Sequence, residues 1–288
     1  MSPARTHGDG FGIGWYSPGG DGIPAVYREA GPAWNSRNLL ELGRNIHSQL
    51  FFAHVRSATG TPVQQTNCHP FRHDRWLWMH NGAIAEFQRL RRDLMMAVSP
   101  SLFPLIEGST DSEIMFFLAV TFGLYEDVPG AVAQMAWFVE QTALEHGVPE
   151  ALQMTVAVSD GVRIWAFRYS TAGRSRSLFC KAENMRSRRS CQDSERPGYI
   201  SAVSRLIVSE PLDELSEAWV ELPEASYLVV QSDTALNFLP FAPNPLQPHT
   251  HIASMNRHMN EGRTVQGSAR PGTNHLLDGW LRRYDGCG

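Results

Sequence analysis

The sequence predicts an α+β fold in which helices are layered on antiparallel sheets. Strand-like and helix-like segments alternate with short turns from residue 8 to about residue 170. The pair Asp160-Gly161 between two apolar runs is typical of a two-residue hairpin turn, which joins antiparallel strands. Hydrophobic residues make up 42% of the 288-residue chain, enough for the core of one large domain or two ordinary ones. Layered helices on antiparallel sheets are therefore favoured over a doubly wound parallel sheet.

The predicted strands begin with a glycine-rich segment around Phe11 and Trp15. Glycines alternate there with large apolar residues, which suits a strand that another backbone or a ligand approaches closely, or a glycine-rich strand at a sheet edge. Helices interleave with the later strands. These strands are predicted from apolar runs at 50–56, 76–84, 205–212 and 226–231 and from the hairpin at 154–170. The strands at 50–56 and 76–84 are expected to be buried.

Four helices are predicted from capping residues and from apolar residues at helical spacing. The signals in chain order are a cap at Asn35 or Ser36, a stripe of Phe87, Leu90 and Leu94, capping-box spacing from Thr110 to Glu113, and Pro129 opening a helix that ends at Gly147. The capping box accounts for Glu113 structurally.

Composition divides the chain near residue 241. We expect one domain over 1–241, interrupted by a polar Arg- and Ser-rich stretch at 171–200, and a disordered tail over 242–288. The net charge of −4 provides no global basic field for a nucleic acid. The apolar runs are too short to span a bilayer, and the first ten residues do not form a secretory signal. We therefore expect a cytoplasmic protein that binds neither nucleic acid nor membrane.

Metal binding is not expected from the spacing of the cysteines and histidines. The four cysteines are widely separated and include no CxxC pair. His69, His73 and His80 lie close to Cys68, but no H-x3-H pair is on a convincing helix and no carboxylate has zincin spacing.

Arg56 ends the first apolar strand and precedes a Thr- and Gly-rich turn. Its guanidinium could clamp a carboxylate through two parallel hydrogen bonds, or Arg56 could be a surface residue beside that turn. A position at a strand end leaves both interpretations open.

Two further motifs carry polar groups at element ends. The Asn81 side-chain amide and the Gly82 N–H could point at one oxygen, as in an oxyanion hole, or this pair could be a plain Asn-Gly turn. Asp111 would lie in the first turn of a helix, where the helix dipole favours its charge, and it could also bind an ammonium group. The sequence alone does not decide between these roles.

Taken in order, these segments resemble the class II glutamine amidotransferases, which are N-terminal-nucleophile (Ntn) enzymes. The nearest resemblance is to small stand-alone bacterial γ-glutamyl amidohydrolases. The similar segments are GDGFGIGWY, AWNSRNL, LFFAHVRSATGTPVQQTNCHPF, WLWMHNGAI, EGSTDSE, LQMTVAVSDG and IVSEPL, which cover roughly 8–170 and 201–231. Each segment is short, and their joint order and spacing carry the resemblance. It implies a single-domain, four-layer αββα sandwich of antiparallel sheets.

The resemblance also implies a role for each candidate residue. Arg56 would bind the α-carboxylate of glutamine or of another γ-glutamyl small molecule, and Thr59 would line that pocket. Asn81 and Gly82 would form the oxyanion hole, and Asp111 would hold the α-ammonium group. In the family, an N-terminal Cys attacks the side-chain amide and forms a γ-glutamyl thioester. No metal and no organic cofactor are implied.

The N-terminus departs from the family pattern. The chain begins Met1-Ser2-Pro3, and only seven residues precede Gly8. None of the four cysteines is near this end, and the Ser2 hydroxyl is a weaker nucleophile than a thiol. We therefore expect the family's first strand and its nucleophile to be missing from the chain as given.

Three explanations of this N-terminus compete. A wrongly chosen start, with a longer natural product, is favoured over a decayed gene copy and over a γ-glutamyl-binding pseudoenzyme. A subunit that supplies ammonia to a partner synthase is a further alternative, and a homo-oligomer is possible. Because a missing strand leaves a bare sheet edge and bare apolar surface, we expect the chain to be poorly soluble or marginally stable.

Overall fold

Antiparallel sheets and helices make up the described part of the chain. In the computed structural model this part comprises residues 8–58, 60–181, 205–211, 219–231 and 237–245. All of these residues belong to one compact unit. The expected tail therefore lies outside the described residues from residue 246 onward, as does most of the Arg- and Ser-rich stretch.

The element bounds follow the predicted order of helices and strands. The strands are β1 Phe11–Trp15, β2 Ala25–Glu29, β3 Phe51–Val55, β4 Phe71–His73, β5 Trp76–Ile84, β6 Leu152–Ser159, β7 Ile164–Ser170, β8 Phe179–Lys181, β9 Ile207–Val208, β10 Trp219–Glu221, β11 Ser226–Val230 and β12 Phe238–Pro240. The α-helices are α1 Arg37–Asn45, α2 Phe87–Met96, α3 Asp111–Thr121 and α4 Val128–Glu145. Among these helices, none combines the length and the hydropathy needed to cross a membrane.

The strands form three antiparallel sheets in the described residues. A six-stranded sheet has the order β12-β11-β7-β6-β5-β4, and two three-stranded sheets have the orders β2-β1-β3 and β10-β8-β9. Each recorded strand pair is antiparallel. The expected α+β fold of antiparallel sheets is confirmed.

The six-stranded sheet is buried on both faces. Because side chains alternate along a strand, Trp165 and Phe167 of β7 pack in the core shared with helices α2, α3 and α4. Ala166 between them packs in a second cluster with Leu228 and with Cys180 of β8. The small sheet that contains β8 therefore lies on the face opposite α2, α3 and α4.

The close approach of β1 to the large sheet explains its glycines. A Cβ on Gly12 would lie 2.2 Å from the His69 carbonyl oxygen, and a Cβ on Gly14 would lie 2.8 Å from Pro70 and 3.1 Å from Leu77. Since β1 pairs with both β2 and β3, the sheet-edge interpretation is wrong and the close-approach interpretation is confirmed.

The strand β3 is buried on one side only. Phe52 is 3% exposed, whereas Phe51 is 54% and Val55 is 50% exposed. The sequence wrongly predicted a fully buried strand here, because an apolar run does not reveal that only one face of the small sheet packs against the large one.

The hairpin between β6 and β7 is confirmed, but its predicted two-residue turn is wrong. Four residues, 160–163, connect the strands. The Asp160 carboxylate accepts hydrogen bonds from the backbone N–H groups of Val162 at 3.0 Å and Arg163 at 2.8 Å. The aspartate side chain thus closes a longer loop, in which Gly161 takes the positive φ of 92°.

Side-chain caps begin two of the helices, α1 and α3. The Ser36 hydroxyl caps α1, and α4 ends before Gly147 as predicted. Thr110 caps α3 by accepting from the Glu113 N–H at 3.2 Å. The Glu113 carboxylate bonds Glu107 and Gly108 rather than Thr110, so only half of the expected capping box forms.

Candidate active site

A cleft of about 260 Å³ lies where the end of β5 meets the beginnings of α2 and α3. Its size suits an amino-acid-sized molecule, because pockets for drug-sized ligands begin at roughly 300 Å³. Its lining combines small, apolar and polar residues: Gly60, Thr61, Ala83, Ile84, Glu86, Phe87, Gln88 and Asp111.

Asp111 presents its carboxylate to this cleft from the first position of α3. One carboxylate oxygen accepts from the Ile84 N–H at 2.9 Å, and the other accepts from the Ser112 N–H at 2.8 Å. A carboxylate oxygen accepts more than one hydrogen bond. Asp111 therefore keeps acceptor capacity for a cationic group in the cleft, such as an ammonium.

Asn81 and Gly82 lie inside β5, so the interpretation as a plain Asn-Gly turn is wrong. The Asn81 side chain shares a strand face with Leu77, which packs against β1, and it makes no hydrogen bond to another described residue. Gly82 has a φ of 154°, and a Cβ there would lie 2.0 Å from the Gln153 carbonyl oxygen. Only glycine therefore fits at position 82, and the neighbouring Asn81 amide donates to no other described residue.

Arg56 is 5% exposed, so the interpretation as a surface arginine is wrong. Its guanidinium donates to Thr61 Oγ1 at 2.5 Å and to the Asp9 carbonyl oxygen at 3.4 Å. The Asp9 carboxylate instead accepts from the Ala58 N–H at 2.8 Å. In the described part of the chain, no carboxylate forms an ion pair with Arg56, so a buried positive charge stands beside the cleft wall.

The described candidate residues lie in one cleft or next to residues that line it. Asp111 lines it directly, Arg56 reaches its wall through Thr61, and Asn81-Gly82 directly precedes two of its lining residues. Thr59, the fifth candidate, lies outside the described residues. A cation and an amide donor next to a small cleft that an anion lines suit the recognition of an α-amino acid with a side-chain amide.

His80 and Ser112 adjoin this site, although no role in it was predicted for either residue. His80 is 3% exposed, and its Nδ1 lies 2.8 Å from Ser112 Oγ. Burial lowers the pKa of His80, against the opposing effect of the Asp111 carboxylate. The signal in the sequence that could have identified His80 and Ser112 is their position next to Asn81 and Asp111. Among the described residues, no group of His, Cys, Asp and Glu side chains is arranged to hold a metal ion.

The two described cysteines are buried and do not line the cleft. The Cys68 sulfur lies 3.5 Å from the carbonyl oxygens of Glu29 and Gln64. Burial raises the pKa of the Cys68 thiol, more than Arg56 and Arg28 lower it. A raised thiol pKa does not suit a nucleophile. Cys191 and Cys287 lie outside the described residues.

Comparison with known families and curated proteins gives matches over most of the chain. A family model described as "Glutamine amidotransferases class-II" matches residues 2–240. The probable glutamine amidotransferase DUG3 of Saccharomyces cerevisiae is 30% identical over 257 residues, which are 80% of this chain and 71% of the yeast protein. The glutamine–fructose-6-phosphate aminotransferase of Shouchella clausii is 28% identical over 92 residues, 31% of this chain and 14% of that protein.

A solved structure also resembles the fold. A glutamine aminotransferase class-II domain protein from Silicibacter pomeroyi superposes with a TM-score of 0.68 at 30% sequence identity. The match covers 81% of this chain and 92% of that one. Sequence and fold therefore agree on the same group of proteins.

Proposed function

Because the chain belongs to the class II glutamine amidotransferases, we propose that it binds a γ-glutamyl amide in the cleft between β5 and α3. The observation that supports this most is the buried Arg56 cation, without a described ionic partner, beside a cleft that Asp111 lines. The two charges complement the α-carboxylate and the α-ammonium of an amino acid. Asn81 and Gly82 then act on the side-chain amide.

The proposed reaction is acyl transfer from the γ-glutamyl amide. A thiolate attacks the side-chain amide carbon, and the Asn81 amide and the Gly82 N–H stabilise the oxyanion that forms. The C–N bond breaks, the departing amine takes a proton, and a γ-glutamyl thioester remains. Water then attacks the thioester, which restores the thiol and releases glutamate. The described residues bring no thiol to the cleft, so they supply binding and oxyanion stabilisation only.

The proposed extent of the amidotransferase domain is residues 1–241. The family match to residues 2–240 supports this extent. We also propose cytoplasmic action, in keeping with free rather than disulfide-bonded cysteines at 68 and 180.

Covalent labelling tests the reaction. The full chain is incubated with 6-diazo-5-oxo-L-norleucine, an electrophilic glutamine analogue, and analysed by intact mass and peptide mapping. Labelling of one residue, prevented by excess L-glutamine, supports acyl transfer and identifies the nucleophile. A chain that neither becomes labelled nor binds L-glutamine in calorimetry contradicts the proposal.

A second candidate is a γ-glutamyl-binding protein without catalysis. The burial of Cys68 and Cys180 away from the cleft favours it. Binding of L-glutamine without covalent labelling is its expected signature. The similarity to a glutamine–fructose-6-phosphate aminotransferase supports a third possibility, a subunit that supplies ammonia to a synthase. Co-purification with an enzyme that consumes ammonia is its expected signature.

A further inference from the structure

A buried chain of polar contacts leads from β6 to the cleft. The Gln153 carbonyl oxygen lies 3.3 Å from His80 Nε2, and His80 Nδ1 lies 2.8 Å from Ser112 Oγ. Ser112 Oγ in turn lies 3.3 Å from the Asp111 carboxylate. His80 is 3% and Ser112 is 5% exposed, so water does not compete for these contacts.

The direction of each hydrogen bond follows from the groups involved. A carbonyl oxygen only accepts, so His80 Nε2 carries the hydrogen in its contact with Gln153. In a neutral imidazole the other nitrogen is then a bare acceptor. Ser112 has one hydroxyl hydrogen, and its contact with His80 at 2.8 Å is shorter than its contact with Asp111 at 3.3 Å. We assign the hydroxyl hydrogen to the shorter contact, so that Ser112 donates to His80 rather than to Asp111, which also lies within hydrogen-bond distance.

This arrangement leaves Asp111 free for a ligand. Its carboxylate receives backbone N–H groups from Ile84 and Ser112, and no hydroxyl hydrogen competes for its remaining acceptor positions. We propose that His80 is a positioning residue that holds the Ser112 hydroxyl away from Asp111 and so keeps this carboxylate available for the substrate's α-ammonium group. The inference rests on the proposed function, and its test separates the two.

Loss of the histidine acceptor should redirect the hydroxyl. In a His80→Leu variant, the nearest remaining acceptor for Ser112 Oγ–H is the Asp111 carboxylate at 3.3 Å. The hydroxyl then occupies a position that the ammonium needs. A second substitution, Ser112→Ala, removes the competing hydroxyl, so the double variant should recover the recognition that the single variant loses. A merely structural role for His80 predicts the opposite, because a second buried substitution adds damage.

The experiment compares two ligands that differ only in the α-ammonium group. Calorimetry measures the Kd of L-glutamine and of glutaramic acid for the full chain, with ammonia release assayed in parallel to correct for turnover. The Kd of glutaramic acid divided by the Kd of L-glutamine reports ammonium recognition. We expect His80→Leu to reduce this ratio by roughly tenfold or more, with little change in the Kd of glutaramic acid. The double variant should return the ratio toward the native value.

Two single variants serve as controls. Ser112→Ala alone should keep the ratio within about twofold of native, since its hydroxyl already points away from Asp111. His69→Leu replaces another buried histidine that has no hydrogen bond to Ser112 or Asp111 in the described part, and it should leave the ratio unchanged.

The outcomes separate this inference from the proposed function. If the native chain prefers glutamine and His80→Leu keeps that preference, the positioning role is wrong and the proposed function stands. If His80→Leu does not fold, Ser112→Ala alone decides. A tenfold loss of its preference for L-glutamine over glutaramic acid overturns the positioning role of His80, and an unchanged preference supports that role. If the native chain binds neither ligand, the proposed function itself fails.

Discussion

At the scale of single residues, Arg56 is the clearest mark of a ligand site. A guanidinium that is 5% exposed and bonded to neutral oxygens retains an unbalanced charge. A ligand carboxylate would balance it through a two-pronged contact. Arg56 could be singled out from the sequence by its strand-end position, but its burial could not, because that depends on the packing of Asp9 and Thr61 around it.

Substitution of Arg56 by lysine should separate charge from geometry. Lysine keeps the positive charge but offers a single point of contact, so Arg56→Lys should weaken L-glutamine binding by about tenfold or more. The melting temperature should change much less than for a neutral substitution. Titration calorimetry measures the affinity, and Arg72→Lys, which changes a largely exposed arginine bonded to the Pro24 carbonyl, is the matched control. Equal affinities for the native chain and Arg56→Lys would show that Arg56 does not contact the ligand.

His80 and Ser112 show where sequence reasoning ends at this scale. They are 32 positions apart, and their contact exists only because α3 packs on β5. No local spacing rule joins a strand residue to a helix residue over that separation. Asn81 and Asp111, by contrast, belong to short motifs whose chemistry is visible within a few positions.

At the scale of elements, local signals predicted the helix ends and β5 well. Proline opens α4, a positive-φ glycine follows it, and the 76–84 strand has the predicted bounds. Predictions that needed tertiary information were poorer. The one-sided burial of β3 depends on which sheet lies above it, and the longer hairpin loop depends on where the Asp160 side chain points.

The β5–β6 pairing makes a sharp prediction about Gly82. A methyl group on Gly82 would meet the Gln153 carbonyl at 2.0 Å, and the φ of 154° disfavours any side chain. Gly82→Ala should therefore lower the free energy of unfolding by about 2–4 kcal/mol and abolish glutamine binding. Urea unfolding measures the first effect.

The control is a glycine inside a helix. Gly43 of α1 has nothing within 4 Å of an added Cβ, so Gly43→Ala should raise the free energy of unfolding by about 0.5–1 kcal/mol. If both substitutions have the same small effect, the strands do not approach each other at Gly82 as described.

At the scale of the whole molecule, a buried histidine makes stability depend on pH. His69 is 5% exposed, and neither ring nitrogen has a hydrogen-bond partner in the described part of the chain. Burial lowers the pKa of His69 well below its ordinary value, and the neighbouring His54, His80, Arg56 and Arg28 lower it further. The folded chain therefore resists a proton that the unfolded chain accepts.

The sign of the effect follows from this difference in proton binding. Above about pH 6.5 both states hold a neutral imidazole, and His69 adds no pH dependence. Below that pH the unfolded state binds the proton first, so stability should fall by about 1.4 kcal/mol per pH unit for His69, until the pH reaches the lowered folded-state pKa. Urea unfolding from pH 8 to pH 5 measures the slope.

Two variants check the origin of this slope. His69→Leu should remove about 1.4 kcal/mol per pH unit of it. His47→Leu, at an exposed position, should leave the slope unchanged. A slope that persists in His69→Leu would assign the pH dependence to other groups, of which His80 is the nearest candidate because burial lowers its pKa as well.

The glycines of β1 have a consequence for selectivity. Gly12 and Gly14 let β1 pack directly on the His69 carbonyl oxygen and on the side chains of Pro70 and Leu77. Arg56, which directly follows β3, is tied to the same small sheet by its backbone hydrogen bond to Gly10. Because β1 places no side chain of its own between the layers at these two positions, we expect the separation of Arg56 and Asn81 to vary little and to select the length of the substrate's side chain. Asparagine, one methylene shorter, should be rejected by about 10- to 200-fold relative to glutamine.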